Sequence, residues 1–343
     1  MANRPANQCR LYRARGRRAH VRHLVKHLKN SAALNEYTRR VCERPLDCSL
    51  LSKKEKSSMT ETPSFAGAYT YDAFARHQFY EDINADLVQM AIGRLDRERP
   101  VEQRVQVVEV ASGTGAVTEL ILNELERLGR PAIVTGVEPS FEAIDVARER
   151  LRGREVSFIQ GDANDLASLV SNVDAAFFCN AIHLVPDKED AIRKVAAALA
   201  PSGLFAFNSS FFTGAYVPGS ERVYRLWIRR ALGWLREHYP EIRPSRNEKA
   251  LAMQWLSEDE YTQLAADAGM RVVDRTLEVA EIPPRALQDL GHYWLFIDGA
   301  LPGVPIEIGA DALESAMGEV SQELNLTTVP RYWLQMVTQR ETA

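Results

Sequence analysis

From Tyr71 to Leu95 the apolar residues Phe74, Phe79, Ile83, Leu87, Met90, Ala91 and Leu95 recur three to five positions apart, which predicts a helix. The pattern then changes to short, continuous apolar runs. Val105–Val110, Ala132–Val137, Val156–Ile159, Val173–Phe178 and Leu204–Asn208 read as strands buried on both faces. Helical patterns fill the gaps at Ala116–Leu128, Phe141–Leu151 and Lys188–Leu199. Ser140 stands where a helix cap belongs, and Pro201-Ser-Gly203 reads as the turn into the fifth strand. Strands alternating with helices predict a doubly wound, mostly parallel α/β sheet. Right-handed crossovers put the C-terminal ends of the parallel strands on one rim. The polar residues Glu109, Glu138, Asp162, Asn180 and Asn208 gather there, as a ligand crevice requires.

Past the fifth strand the alternation stops. Residues 213–256 form an insertion rich in arginine and aromatic residues, including Tyr216, Tyr224, Trp227, Trp234, Tyr239 and Trp255. A helix at Ser257–Ala268 and a strand at Arg271–Ile282 follow, then a second insertion, 283–328, with Tyr293, Trp294 and Phe296. Tyr332–Val337 reads as the last of seven strands. If it runs antiparallel to its predecessor, both insertions leave from the ligand rim and can form a helical lid. The expected organisation is a basic, disordered extension over 1–58, a helical cap segment over 59–104, and a sheet domain over 105–343 with lid insertions at 213–256 and 283–328.

The sharpest local signal is Val108-Glu-Val-Ala-Ser-Gly-Thr-Gly115, a strand, a small-residue turn and a helix start. Its glycines let backbone approach a ligand, and the helix N-terminus presents free N–H groups there. Dinucleotide oxidoreductases share a Gly-x-Gly turn, but the position of their third glycine is Thr118 here, which weakens that alternative.

Together these residues resemble the class I S-adenosylmethionine-dependent methyltransferase family. The likeness in layout covers roughly residues 70–340 and is specific over 105–208. It implies a Rossmann-like fold and S-adenosyl-L-methionine as cofactor, with no metal. The family's first motif stands as Glu109-Val-Ala111-Ser-Gly113-Thr-Gly115, with Ala111 where a glycine is usual. Its ribose-binding acid matches Glu138, followed by Pro139, and its acid near the adenine amine matches Asp162, followed by Ala163. Asn180 falls in the fourth motif, Asp174–Val185, and Leu199-Ala-Pro-Ser-Gly203 is similar to the family's turn before strand five.

Each assignment also has a chemical reason. A carboxylate at the end of the second strand can accept two hydrogen bonds from a cis-diol. Glu109 can orient a cationic amino group, and Asp162 can accept from an exocyclic amine while the next amide meets a ring nitrogen. Arg76 or His77 could meet the cofactor's carboxylate, or lie at the surface. Asn180 is equally consistent with a structural role.

The acceptor is less legible. Aromatic residues of the insertions can build an apolar pocket, although any one of them can equally be core. His183, three residues after Asn180, and His292 in the second insertion are candidate general bases; packing or capping is the alternative for His183. The expected function is methylation of a small, partly apolar or aromatic metabolite in specialised metabolism, with oxygen the first choice of acceptor atom, then carbon or nitrogen. A nucleic-acid methyltransferase recruited by the basic arm and a non-catalytic cofactor-binding subunit are the alternatives.

Charge and cysteine usage refine this picture. The net charge of −4 divides into +11 over residues 1–58, from 15 basic and 4 acidic residues, and −15 over the rest. An acidic body counts against nucleic acid unless the arm supplies the attraction. The arm also reads as an organelle-targeting peptide, and Met59-Thr-Glu-Thr-Pro-Ser resembles a translation start. Its histidines and cysteines do not fit a zinc-finger spacing. Cys179 is the one cysteine beyond residue 58, which suggests a reducing compartment; with no membrane span, a cytoplasmic location is expected. The oligomeric state is open.

Overall fold

The computed structural model describes residues 69–100, 102–245 and 255–342. The readings made for residues 1–58, the Met59 start and the first part of the cap segment lie outside them.

Two helices precede the sheet: α1 (Asp72–Ala75) and α2 (Gln78–Glu98). The periodicity predicts one helix here, but the chain breaks at His77, whose ψ of 137° is extended. Phe74 therefore stays buried on a separate turn while α2 packs Ile83, Leu87, Ala91 and Leu95 into the core.

The sheet then builds through β1 (Val105–Val110), α3 (Ala116–Arg127), β2 (Ala132–Glu138), α4 (Phe141–Arg150), β3 (Val156–Gln160), α5 (Leu166–Leu169), β4 (Val173–Cys179), α6 (Lys188–Ala198) and β5 (Leu199–Ser209). It continues through α7 (Glu221–His238), α8 (Glu258–Asp267), β6 (Met270–Ile282), α9 (Pro284–Gly291), α10 (Trp294–Ala300), α11 (Ile306–Glu323) and β7 (Val329–Arg340). The strand order is β3-β2-β1-β4-β5-β7-β6. The first five strands pair in parallel, and β7 runs antiparallel to both β5 and β6. This is the expected doubly wound, mostly parallel seven-stranded sheet, with apolar cores on both faces.

β5 starts earlier than its apolar run indicates. It pairs Leu199 with Val173 and resumes at Leu204 opposite Ala175, so Pro201-Ser-Gly203 forms a bulge rather than a separate turn. Gly203 is required there, because a Cβ would lie 2.8 Å from the Val173 carbonyl oxygen.

The register decides where the insertions leave. Ser209 at the end of β5 faces Leu334 midway along β7, and Ile282 at the end of β6 faces Val329 at its start. The segment after β5 and the one joining β6 to β7 therefore both begin at the rim where β1, β2 and β4 end. The first carries α7; the second carries α9, α10 and α11, and α7 packs against α11. Trp227 of α7 is fully buried, and its indole N–H donates to the Leu313 carbonyl at 2.7 Å. No helix among the described residues is long and apolar enough to cross a membrane.

Candidate active site

The turn after β1 is built for close approach. Ala111, Gly113 and Gly115 all have left-handed backbone, with φ of 55°, 53° and 81°. Gly113 has open space where a Cβ would stand. A Cβ on Gly115 would meet Ala147 of α4 at 3.2 Å, so Gly115 also lets α3 approach α4. Ala111 takes the conformation without being glycine, a modest cost that the surrounding turn overrides.

Two buried carboxylates stand behind this turn. Glu109 is 2% exposed and accepts a hydrogen bond from the Thr118 hydroxyl on the first turn of α3. Burial pushes its carboxyl up to about 8, with the nearby Glu138 charge adding to the shift against the Thr118 contact. Glu138 ends β2. Its Oε2 accepts from the Gly113 amide at 2.9 Å and its Oε1 from the Ser140 amide at 3.1 Å. Burial raises its pKa against these two backbone donors. Pro139 follows, its carbonyl taken by Gln160 at 3.0 Å, and Ser140 caps α4 through the Ala143 amide.

Asp162 lies past the end of β3, half-buried, with Oδ1 accepting from the Asn164 amide at 2.7 Å. Ala163 is buried, and its N–H meets no acceptor among the described residues. Asn180, past β4, is buried with φ of 54°. Its Nδ2 donates to Asn84 Oδ1 at 3.2 Å, and Asn208 at the end of β5 donates to the same oxygen at 2.9 Å. Asn84 of α2 thus ties together the ends of two strands, and its own amide donates to the Tyr80 carbonyl at 2.7 Å. The network gives Asn180 a structural role whatever else it binds.

The donor set fits S-adenosylmethionine. Two buried carboxylates without a cationic partner among the described residues suit a cation and a diol. The Ser112 hydroxyl and Asn180 Oδ1 are buried with no hydrogen-bond partner, and the Ala163 N–H is available to a ring nitrogen.

The segment before the sheet covers this region. Asp72 of α1 accepts from the Thr114 hydroxyl at 2.8 Å and from Arg150 of α4 at 2.9 Å, with Arg76 on its other oxygen. Burial raises the Asp72 carboxyl, but Thr114, Arg150 and Arg76 together hold it below its ordinary value. Arg76 is therefore engaged at the surface, and His77 meets Asp289 of α9 at 2.7 Å. Tyr71 packs edge-on against Tyr80 and Tyr293. Burial and the Glu138 charge both push the Tyr293 phenol up.

The two histidines expected as candidate bases both have side-chain partners. His183 is 4% exposed, stacks on Phe211 at 4.5 Å and shares a 3.1 Å hydrogen bond with Ser209. Burial, with Lys188 and Arg331 nearby, lowers its pKa to about 3. Its contacts with Phe211 and Ser209 are those of a packed ring, the alternative to a base role. The His292 Nε2 lies 2.8 Å from Glu314 of α11, so its partner is a lid carboxylate.

Next to the rim lies a cavity of about 230 Å³, lined chiefly by apolar and aromatic side chains. Phe74 of α1, Phe211 after β5, Trp227 of α7, Leu287 of α9, Phe296 of α10 and Arg331 of β7 all face it. Arg331 is a residue that the pattern of the sequence does not single out. A polar hollow beyond α1, lined by Arg76, Glu81, Glu119 and Arg150, contains none of the strand-end carboxylates.

Residues 107–203, from β1 into β5, match the family described as "Methyltransferase domain". A fatty-acid O-methyltransferase of Mycolicibacterium smegmatis is 32% identical over 105 residues, covering 31% of this chain and 37% of that one. A malonyl-[acyl-carrier protein] O-methyltransferase of Priestia megaterium is 27% identical over 43% of this chain and 50% of its own. A trans-aconitate 2-methyltransferase of Variovorax paradoxus is 31% identical over 39% and 48%. The chain thus spans at most half the length of these relatives. The family match and the carboxylates at successive strand ends fall on the same segment: residues 107–203 are similar to a methyltransferase domain, and the class I family that the motifs resemble uses S-adenosyl-L-methionine.

Proposed function

We propose that the protein transfers a methyl group from S-adenosylmethionine to an oxygen of a small, partly apolar metabolite. The observation that carries this reading is the aromatic-lined cavity of about 230 Å³ at the rim where β5 and β6 end, with walls from both rim insertions. Oxygen is supported by two relatives named O-methyltransferases, one of them for a fatty acid.

Glu138 would hold the ribose diol, Glu109 the cationic amino group, and Asp162 with the Ala163 amide the adenine. Gly113 and Gly115 let the backbone close on the ligand, and Asn180 steadies the end of β4 through Asn84. Bound S-adenosylmethionine supplies a methyl group on a positively charged sulfur, activated for displacement by an acceptor lone pair. The chain's own part is alignment and exclusion of water, which suffices for much of the rate when the acceptor needs no deprotonation. Tyr71, Phe74, Tyr80 and Tyr293 form the dry side of that enclosure.

The test is methyl transfer from a methyl-labelled cofactor to a panel of apolar acids, phenols, alcohols and amines, together with RNA. Label in an apolar oxygen acceptor is the expected outcome. Label only in RNA, or in none of the panel despite cofactor binding, would overturn the reading.

A further inference from the structure

Arg331 stands on β7 opposite Ala280 of β6 and is 4% exposed. Its Nε donates to the Ser210 carbonyl oxygen at 2.7 Å. Its guanidinium carbon lies 4.8 Å from the centroid of the Tyr216 ring, 4.9 Å from Tyr224, 5.1 Å from Phe211 and 5.6 Å from Trp255. No carboxylate pairs with it among the described residues. Most buried arginines answer their charge with an acid, as Arg130 does here with Asp96 at 2.6 Å. Arg331 meets aromatic faces instead, which offset only part of the cost of burying a cation.

The location adds a second, independent observation. Arg331 borders the apolar cavity, whose other walls carry no acidic residue among the described residues. Phe211, one of the rings around Arg331, also stacks on His183 directly after β4, so the cation sits on the side of the cavity nearest the strand ends. A fixed positive charge at one end of an apolar hollow matches one chemistry: an anionic head on an apolar body. A guanidinium fork is shaped for a carboxylate.

We propose that Arg331 is the acceptor anchor and that the acceptor is an apolar carboxylic acid, methylated on the carboxylate it presents to Arg331. This rests on the methyltransferase reading above and names its substrate class. One carboxylate oxygen is held by the guanidinium. The other uses a lone pair to form the new O–CH₃ bond, while the methyl–sulfur bond breaks with its electron pair left on sulfur. Anion and sulfonium become a neutral ester and a neutral thioether, and no proton moves. The chemistry needs no base, in keeping with a buried, neutral His183 beside the site.

The test is binding of decanoate and of decan-1-ol to the full chain without cofactor, followed by quenching of tryptophan fluorescence, with Arg331→Gln and Arg331→Lys beside the wild type. The wild type should bind the acid roughly 10–100-fold more tightly than the alcohol, the range for hydrogen bonds to a charged group. Arg331→Gln should bring the two to parity with cofactor affinity unchanged, and Arg331→Lys should restore part of the preference. A merely structural arginine would weaken acid and alcohol alike. Equal binding of acid and alcohol by the wild type overturns the proposal without any variant, as does a preference that survives in Arg331→Gln. If that happens while label still reaches a phenol or an alcohol, the methyltransferase reading stands and only the anchor is lost.

Discussion

The hydroxyl of Thr118 donates to the carboxylate of Glu109, nine residues earlier, across the turn that joins β1 to α3. Thr118 occupies the position where a dinucleotide-binding turn places its third glycine. A side chain there takes the space that the third glycine leaves for close packing of helix on strand, and it fixes an acid at the end of β1 instead.

This contact leads to a prediction about pH. The Glu109 carboxyl is raised to about 8 in the fold, against about 4.3 for an ordinary glutamate. Between those values the folded chain holds a proton that the unfolded chain has released, so this group's contribution to stability is full below the lower value and is lost as pH rises through the upper one. Glu109→Gln should therefore gain stability over the wild type as pH rises from 5 to 8, seen as a growing difference in melting temperature. It should also bind the cofactor more weakly and without the proton release expected of the wild type near neutral pH. Parallel stability–pH curves for the two proteins would remove the assignment.

Ala111 supplies a backbone test. A left-handed conformation costs an L-residue about 1–2 kcal/mol, and glycine gives back about 0.4–1 kcal/mol through its freer unfolded chain. Ala111→Gly should leave stability unchanged or raise it by up to about 1.5 kcal/mol. An alanine in an ordinary helix would lose about 1 kcal/mol on the same change. Urea unfolding midpoints decide between these signs, and a clear loss would mean that the turn does not hold its φ of 55°.

His183 makes two predictions. The His183→Asn variant should keep its cofactor affinity, and the wild-type rate should show no limb near pH 6.5, where a free imidazole titrates. Stability should fall as pH drops below about 6.5, by about 1.4 kcal/mol per pH unit, because the unfolded chain takes a proton that the buried ring refuses until about 3. The variant should lack this slope. A rate profile with a limb near 6.5 that the variant abolishes would restore His183 as a base.

How much of this was legible in the sequence follows from burial. β1 and β4 are buried along most of their length and β2 over its second half, so they read as largely apolar runs with Glu109, Glu138 and Asn180 at or near their ends. The break between α1 and α2 was not legible, because Phe74 and Phe79 keep a helix-like spacing on either side of it. Asn84 sits beside Ile83 on the buried face of α2, and a polar residue on that face was the available signal for the network it forms with Asn180 and Asn208. Arg331 was invisible for a different reason. An arginine near the start of a strand reads as an exposed edge, and the rings that enclose it come from positions 211, 216, 224 and 255, brought together only by the fold.

The most direct measurement is a calorimetric titration of the full chain, and of Glu138→Ala, with S-adenosylhomocysteine, the demethylated product. Glu138 holds its place through the Gly113 and Ser140 amides and would offer its remaining lone pairs to the ribose. The cofactor assignment predicts one binding site in the wild type and an affinity roughly 10–100-fold weaker in the variant, the worth of hydrogen bonds to a charged group. No binding by the wild type, or equal affinity in the two proteins, would contradict it.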